Sequence, residues 1–272
     1  MRIYGLLYAL VISVICAFAV DAQSDTIRVR MMSYNLRFGE LATLDEIGMH
    51  IKSFNPDFVA LQEVDVNTNR DMAKHQNGKN FVAELSKSTG MFASFGRAID
   101  LGKGYYGIAI LSKYPIIKTE TMMLPNPSNT EQRVLQYAWI DMGLGDTIVV
   151  AVTHLCHLKE DSRLEQGKSI IKRLAEIKYP LLIGGDFNTE PNTPVYNEFI
   201  KNNWKETSGY ECTWPAWNPK EKIDFIFAYP AEKWKLLRNY TIPSCLSDHL
   251  PIVVDLEYLP AKSGSAGRIL HE

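Results

Sequence analysis

The chain has 272 residues, which suits one large domain or two small ones, and its 46% hydrophobic and 22% charged residues are those of an ordinary globular protein with a sizeable core. The formal net charge of -2 excludes a global basic field that would hold a polyanion. A nucleic-acid substrate would therefore need a local basic patch on this protein.

The first predicted element is a secretory signal peptide over residues 1–22. Arg2 precedes an apolar stretch at residues 6–20, and Val20-Asp21-Ala22 then places small residues where a signal peptidase can cut. A membrane anchor is the alternative, but about 15 apolar residues are short for a membrane span. We therefore expect export to the periplasm or outside the cell, with cleavage near Ala22-Gln23.

Three cysteines follow this cleavage point, namely Cys156, Cys212 and Cys245. In an oxidising compartment, an odd number of cysteines leaves at least one free thiol. Their spacing is not typical of a metal site. We interpret them as core residues or as one disulfide with a free thiol, and the residues favour no particular pairing.

The rest of the chain alternates predicted strands with a few predicted helices. Apolar and alternating patterns predict strands over residues 27–34, 58–61, 92–99, 105–111, 116–123, 135–142, 148–152, 181–183, 223–227, 234–240 and 252–258. Helical periodicity predicts helices over residues 44–54, 81–90, 161–177 and 195–202. Because no repeat or linker divides the chain, we predict one compact domain over residues 23–260 and a flexible tail at 261–272.

One stretch, residues 181–188, combines a buried strand with polar chemistry at its carboxyl end. Residues two apart on an extended chain point the same way, so Asp186 and Asn188 can aim their side chains at one spot. A carboxylate and an amide at a strand end suit the binding of a hard cation or the positioning of a water molecule. The alternative is a strand followed by a polar turn, because Gly, Asp and Asn all favour turns.

Other strand ends or adjoining turns carry polar groups of the same kind. These positions are Asn35, Glu63, His154, and Asp248 with His249. Each alone has a structural explanation, as a turn residue, a surface acid or a structural histidine. Asp224 adds an acid inside an apolar strand, where burial without a partner would cost several kcal/mol. Taken together, the positions favour a single functional site.

The motifs around these residues resemble those of the endonuclease/exonuclease/phosphatase superfamily. In chain order they are Ser33-Tyr34-Asn35, Leu61-Gln62-Glu63, Thr153-His154-Leu155, Gly185-Asp186-Phe187-Asn188, Ile223-Asp224-Phe225-Ile226 and Ser247-Asp248-His249. The resemblance extends over residues 27–257. It implies an α/β fold of the deoxyribonuclease I type, a four-layer sandwich of two packed mixed β-sheets flanked by helices, with the site at one edge. It also implies divalent-metal-dependent hydrolysis of phosphate esters.

The same resemblance implies a metal site. Glu63 is similar to the main metal ligand of the family, and a carboxylate is the hard oxygen donor that Mg²⁺ prefers, with Mn²⁺ as an alternative. Asn35 is similar to the amide near that metal. Asp248 would add a direct or water-mediated contact to the ion.

The resemblance also assigns the catalytic groups. His249 is similar to the catalytic histidine of the family, and Asp224 to the carboxylate that orients it and raises its pKa. Asp186 with Asn188 would position the attacking water or stabilise the pentacovalent phosphate, and His154 would donate a hydrogen bond to a phosphate oxygen. The implied mechanism is in-line attack by an activated water without a covalent enzyme intermediate. Asp186 and His249 are both candidates for the general base.

Thr153-His154-Leu155 resembles the histidine-containing branch of the superfamily, with pancreatic deoxyribonuclease, neutral sphingomyelinases and inositol phosphatases, rather than the exonuclease III repair branch. Three further residues are candidate substrate contacts. They are Arg70 as a phosphate contact, Tyr106 in a substrate-side turn, and Trp214 as a stacking group. Each has an alternative as an exposed loop residue, a fold-forming turn or a loop packing group. His75 and His157 are interpreted as surface residues.

The predicted function is therefore an exported, Mg²⁺-dependent phosphodiesterase or phosphomonoesterase, with a phosphodiesterase favoured. Its substrate could be a nucleic acid, a phospholipid or inositol-type head group, or a small soluble phosphodiester, and no obligate protein partner is evident. Near-neutral charge disfavours a processive nuclease, and the lack of a long hydrophobic hairpin disfavours a sphingomyelinase. The alternative is a catalytically inactive binding protein on the same fold, which is disfavoured because every expected metal and histidine position is present.

Overall fold

The computed structural model describes residues 26–143 and 146–259. The predicted signal peptide at 1–22 and the predicted tail at 261–272 lie outside these ranges. The described ranges form the strands β1 (Ile27–Asn35), β2 (Phe58–Val66), β3 (Phe92–Leu101), β4 (Gly104–Ser112), β5 (Ile116–Met123), β6 (Val134–Gly143), β7 (Asp146–His154), β8 (Leu181–Asp186), β9 (Lys205–Glu206), β10 (Asp224–Tyr229), β11 (Trp234–Thr241) and β12 (Ile252–Tyr258).

The helices begin and end where local signals place them. They are α1 (Leu44–Ser53), α2 (Phe81–Thr89), α3 (Glu160–Leu174) and α4 (Pro194–Lys201). Thr43 and Glu46 form a reciprocal capping box at the start of α1. Gly90 ends α2 in the left-handed conformation, with φ of 77°. The predicted helix over 161–177 was too long, because the α-helix ends at Leu174 and a turn continues the chain to Ile177.

The strands form two mixed sheets of six. The first has the order β11-β12-β1-β2-β4-β3, and the second has the order β5-β6-β7-β8-β10-β9. Pairing is antiparallel except between β1 and β2 and between β7 and β8, which are parallel. Parallel pairing brings the carboxyl ends of neighbouring strands to the same edge of a sheet. The ends of β1, β2, β7 and β8 therefore supply the polar residues of one edge.

Three hydrophobic cores separate four layers. The central core lies between the two sheets and includes Met31, Phe58, Ile110, Val150 and Ile226. A second core packs α1 and α2 against the first sheet, and a third packs α3 and α4 against the second sheet. This arrangement confirms the predicted α/β four-layer sandwich.

Two predicted details differ from the structure at β2 and β10. The strand predicted at 58–61 continues to Val66, because a β-bulge between Leu61 and Val64 lets pairing resume beyond the polar residues. Asp224 was predicted inside an apolar strand, but it is the first residue of β10. Both differences place an acidic side chain at the edge that the neighbouring strands share.

Cys156, Cys212 and Cys245 are all free thiols, so the disulfide alternative is not used in this fold. No helix within residues 26–143 and 146–259 has the length and apolar character needed to cross a membrane.

Candidate active site

A cavity of about 520 Å³ opens at the edge where the two sheets bring their polar strand ends together. Its lining includes most of the residues that the sequence singled out. They are Glu63, Arg70, Tyr106, His154, Asp186, Asn188, Trp214, Asp248 and His249. Asn35 and Asp224 lie directly behind this lining, each hydrogen-bonded to one of its carboxylates or rings. Residues scattered over most of the chain therefore converge at one place.

His249 lies between two buried carboxylates. Its Nδ1 is 2.9 Å from Asp224 Oδ2 and its Nε2 is 3.7 Å from Asp186 Oδ2. The antiparallel register of β8 and β10 pairs Asp186 with Asp224, which sets the two acids on either side of the ring. Thr213 Oγ1 donates a hydrogen bond of 2.5 Å to Asp224 Oδ2. The imidazole is thus hydrogen-bonded at Nδ1 and faces a second carboxylate at Nε2.

This arrangement changes the protonation of both active groups. Burial alone would lower the pKa of His249, but the adjacent charges of Asp224 and Asp186 outweigh burial and raise it. Burial raises the pKa of Asp186, and the nearby imidazolium only partly offsets this. His249 is therefore a cation at neutral pH, and Asp186 is a stronger base than an ordinary carboxylate.

Asn35 links the pair of Asp186 and His249 to Glu63. Its Nδ2 donates hydrogen bonds of 3.1 Å to both Glu63 Oε1 and Asp186 Oδ2. Its Oδ1 accepts the backbone N–H of Arg37 at 2.9 Å. With the side chain in this orientation, the amide holds two carboxylates of the two different sheets at fixed positions.

Glu63 has an unusual backbone for a residue in a strand. It lies at the bulge of β2 and has φ of 56°, a left-handed conformation that costs free energy in a residue with a side chain. Burial raises the pKa of its carboxyl group. Strain of this kind concentrates at functional sites, where the surrounding structure holds a side chain in a required direction.

Asp248 is already paired on one side of the cavity. Its Oδ2 accepts a hydrogen bond of 2.6 Å from Arg37 Nη1 and one of 3.4 Å from Trp214 Nε1. Arg37 was not singled out in the sequence, and it has φ of 45° in the turn that follows β1. The ion pair with Arg37 means that Asp248 would share its charge between this guanidinium and any metal.

The donor set fits a hard divalent cation at Glu63 and Asp248. Both carboxylates line the cavity, and within the described ranges Glu63 has only the Asn35 amide as a hydrogen-bond partner, so lone pairs remain for an ion. Asp186, Asp224 and His249 also bring potential ligand atoms within 4.8 Å of one another. Their ion pairs explain this proximity, because both ring nitrogens already face the two carboxylates.

Arg133 is a site residue that the sequence did not single out. Its side chain is buried and lines the cavity, and it contacts the rings of His154 and His157. His157 was interpreted as a surface residue, yet it lines the cavity, although its side chain is exposed. The antiparallel pairing of β6 and β7 puts the start of β6 beside the end of β7. A prediction of this pairing would have indicated that Arg133 lies near His154.

The three predicted substrate contacts, Arg70, Tyr106 and Trp214, all line the cavity. Their side chains differ in how firmly other residues already hold them. Asp65 binds Arg70 through Nε at 2.7 Å and Nη2 at 3.1 Å. The guanidinium carbon of Arg70 lies 4.3 Å from the ring centroid of Phe38 and 4.9 Å from that of Tyr106. Within the described residues, both N–H groups of Arg70 Nη1 and the second N–H of Nη2 have no hydrogen-bond partner and are left for a ligand. Trp214 is half-buried at the cavity wall.

Asn188 supports Asp186 through the backbone. Its N–H donates to Asp186 Oδ1 at 2.9 Å, and its Nδ2 donates to the carbonyl oxygen of Leu155 at 3.1 Å. It has φ of 49°, which Asn tolerates better than most residues. Its Oδ1 is the atom that remains for substrate or water. His75, by contrast, is exposed and is not part of the cavity lining.

Comparison with known proteins identifies the family. Residues 32–249 match the model of the Endonuclease/Exonuclease/phosphatase family, and the chain belongs to this family. Phosphoester hydrolysis is the chemistry of its members. No curated protein sequence matches the chain.

Solved structures share the fold at low sequence identity. An endonuclease/exonuclease/phosphatase from Beutenbergia cavernae is 18% identical with a TM-score of 0.70, covering 85% of this chain and 72% of the other. One from Bacteroides vulgatus is 23% identical with a TM-score of 0.68, covering 85% and 99%. The mannosyl-6-phosphatase Bt3783 of Bacteroides thetaiotaomicron is 16% identical with a TM-score of 0.69, covering 84% and 99%.

Proposed function

We propose that this protein is an exported, divalent-metal-dependent phosphodiesterase. The main observation that supports this proposal is that His249 lies between Asp224 and Asp186 in the cavity that also contains Glu63. A buried cationic imidazole beside a basic carboxylate gives an acid and a base within reach of one phosphorus atom. This combination suits in-line attack by water on a phosphate ester.

The protonation states favour a division of labour between these groups. Asp186, with its raised pKa, accepts the proton of the attacking water, while Asn188 and Asn35 hold the carboxylate in position. His249, oriented by Asp224, stabilises the negative charge that develops on the phosphoryl oxygens and can protonate the departing oxygen. His154 donates a further hydrogen bond to the phosphate.

Glu63 and Asp248 would hold the metal, which we propose to be Mg²⁺, with Mn²⁺ as the alternative. When bound, the ion neutralises the phosphate and the charge that develops in the transition state. Asn35 fixes the direction of Glu63, and Arg37 fixes that of Asp248. Arg133 and Arg70, which also line the cavity, favour an anionic substrate.

The substrate class stays a proposal among nucleic acids, phospholipid or inositol-type head groups and small phosphodiesters. Phosphomonoesters, the substrates of the predicted phosphomonoesterase alternative, also belong to this set, and a mannosyl-6-phosphatase shares the fold. A panel of plasmid DNA, RNA, sphingomyelin, phosphoinositides and mannose 6-phosphate under one metal condition would choose among them. A catalytically inactive binding protein would hydrolyse none of them.

The basic activity is tested on bis-(p-nitrophenyl) phosphate. The purified protein should hydrolyse it, lose the activity with EDTA and recover it with Mg²⁺ or Mn²⁺. His249→Ala and Asp186→Ala should each lower kcat at least ~10²-fold, the lower end for losing a general acid or base. His75→Ala, at an exposed histidine outside the cavity, is the matched control. Turnover at the wild-type rate in either active-site variant would contradict the assigned roles.

A further inference from the structure

Arg133 contacts two histidine rings at the cavity, and these contacts have no role in the proposed reaction. Its side chain is 5% exposed, and the residue directly precedes the first residue of β6. Nη1 lies 3.1 Å from His154 Nδ1 and 2.9 Å from Glu131 Oε1, and Nη2 lies 3.3 Å from His157 Nδ1. One guanidinium thus contacts two imidazole rings through the same ring atom of each.

The contacts determine where the ring protons lie. A guanidinium can only donate hydrogen bonds, so an imidazole nitrogen that faces it at this distance must accept. An accepting Nδ1 carries no proton, and a neutral ring then carries its proton on Nε2. His154 Nε2 is 3.4 Å from Asp186 Oδ2 and lines the cavity, so its proton lies beside the reactive carboxylate, where a bound phosphate can accept it.

We propose that Arg133 is a positioning residue that holds His154 and His157 as neutral imidazoles protonated on Nε2. It thereby gives the cavity two uncharged donors next to the cationic His249. His154 offers its donor to the reacting phosphate, and His157 offers one to the part of the substrate beyond it. The role at the phosphate rests on the proposed function, whereas the protonation pattern itself does not.

The electrostatic surroundings of His154 agree with this arrangement. The groups that face it are Arg133 from the start of β6, His157 from the loop after β7, Asp186 from the end of β8 and His249 from the loop before β12. Burial, followed by the charges of Arg133 and His249, holds the pKa of His154 well below its ordinary value. Burial and Arg133 also lower the pKa of His157.

The test reads the ring protons directly, by ¹⁵N–¹H spectroscopy of the histidine side chains in the purified protein. His154→Asn and His157→Asn assign the two signals. In the wild type at neutral pH, both rings should show a protonated Nε2 and an unprotonated Nδ1. Arg133→Met should remove this pattern and raise the apparent pKa of His154 by about one pH unit. Arg133→Lys keeps a charge and a donor and should restore the pattern at His154.

Arg163→Met is the matched control, because this arginine binds the carbonyl oxygen of Cys156 in the same region and touches neither ring nitrogen. It should leave the His154 signal unchanged, and unchanged His249 signals in Arg133→Met would show that the fold persists. The proposal is overturned if wild-type His154 carries its proton on Nδ1, or if Arg133→Met leaves the pattern unaltered.

Activity provides the second readout and separates this proposal from the one it rests on. With bis-(p-nitrophenyl) phosphate, Arg133→Met should lower kcat by about tenfold or more and move the acid limb of the pH profile to higher pH, because a more basic His154 becomes cationic at higher pH and then forms an ion pair with Asp186, the proposed base. An inactive wild type with the expected ring protons would reject the proposed function alone. An active wild type with an unchanged profile in Arg133→Met would reject the positioning role alone.

Discussion

Asp224 and Asp186 flank the same imidazole but meet different neighbours. Asp224 accepts hydrogen bonds from Thr213 and His249, so its charge is already spent on orienting the ring. Asp186 also collects donors, from the Asn35 side chain and the Asn188 backbone, but burial still raises its pKa. Two identical side chains therefore differ in role, because Asp224 orients the ring and Asp186 serves as the base.

The orienting carboxylate is tested by Asp224→Asn. Asp224 is the main group that raises the pKa of His249, so its removal should lower that pKa. The cationic ring is the active form and is lost as pH rises, so the alkaline limb of kcat/KM should move to lower pH. The maximum should fall by about 10² to 10⁴. The pH profile with bis-(p-nitrophenyl) phosphate measures both effects.

Asp255→Asn is the control for this change, because that acid pairs with Arg30 away from the cavity. It should keep the wild-type profile. An alkaline limb that stays in place in Asp224→Asn would mean that Asp224 does not set the protonation of His249.

Among the strands, close packing of the two sheets limits the size of the side chains that β8 can have. A Cβ built on Gly184 would lie 2.8 Å from Ala60 Cβ of β2 and 2.9 Å from Met31 Cε of β1. Real Cβ atoms essentially never approach so closely. Because Gly184 has no side chain, the two sheets pack in direct contact behind the site. This contact fixes the positions of Asp186 and Glu63 relative to each other.

Gly184→Ala should therefore lower the free energy of unfolding by about 1 to 3 kcal/mol, the usual cost of overpacking. Met31 can move its flexible end, but Ala60 Cβ cannot. Ala60→Gly should restore part of the loss in the double variant, so the two changes should be non-additive. Urea denaturation of the wild type, both single variants and the double variant measures this coupling. Strict additivity would contradict the contact.

Local patterns predicted most elements because most strands of this fold are long and apolar on at least one face, whereas β9, two polar residues long, has no such pattern and was not predicted. The strand at 252–258 coincides with β12, whereas the strand at 58–61 stopped too early because the bulge at Glu63 has no local signature. The family motifs located the acids and histidines. Arg133 was missed because its importance comes from a contact 21 residues away in sequence, made only when β6 pairs with β7.

The candidate active site, which includes the proposed metal ligand Glu63, is built from both sheets. Glu63 belongs to β2 of the first sheet, while Asp186 and Asp224 belong to β8 and β10 of the second. Asn35 of β1 bridges the two by bonding Glu63 and Asp186. A cation at Glu63 would therefore neutralise charge at the seam of the sandwich and stabilise the native state as a whole.

Mg²⁺ should raise the melting temperature of the wild type, since a ligand that binds only the folded state stabilises it. At about 100 times Kd, the expected rise is roughly 5 to 10 °C for a domain of this size. Glu63→Gln should abolish this rise. Because burial raises the pKa of Glu63, its ionised form destabilises the metal-free protein at neutral pH. Metal-free Glu63→Gln should accordingly melt no lower than the metal-free wild type.

Glu221→Gln is the matched control, because Glu221 lines the same cavity but is exposed and outside the proposed ligand set. It should keep the Mg²⁺-dependent rise. Differential scanning calorimetry with EDTA and with added Mg²⁺ measures all three proteins. A rise that persists in Glu63→Gln would place the cation elsewhere, whereas an equal loss in both variants would indicate a diffuse response to cavity charge. Glu63→Gln alone should lose the Mg²⁺-dependent rise in melting temperature, and its metal-free melting temperature should not be lower than that of the wild type. Both results together require that the Glu63 carboxylate destabilises the fold until a cation neutralises it.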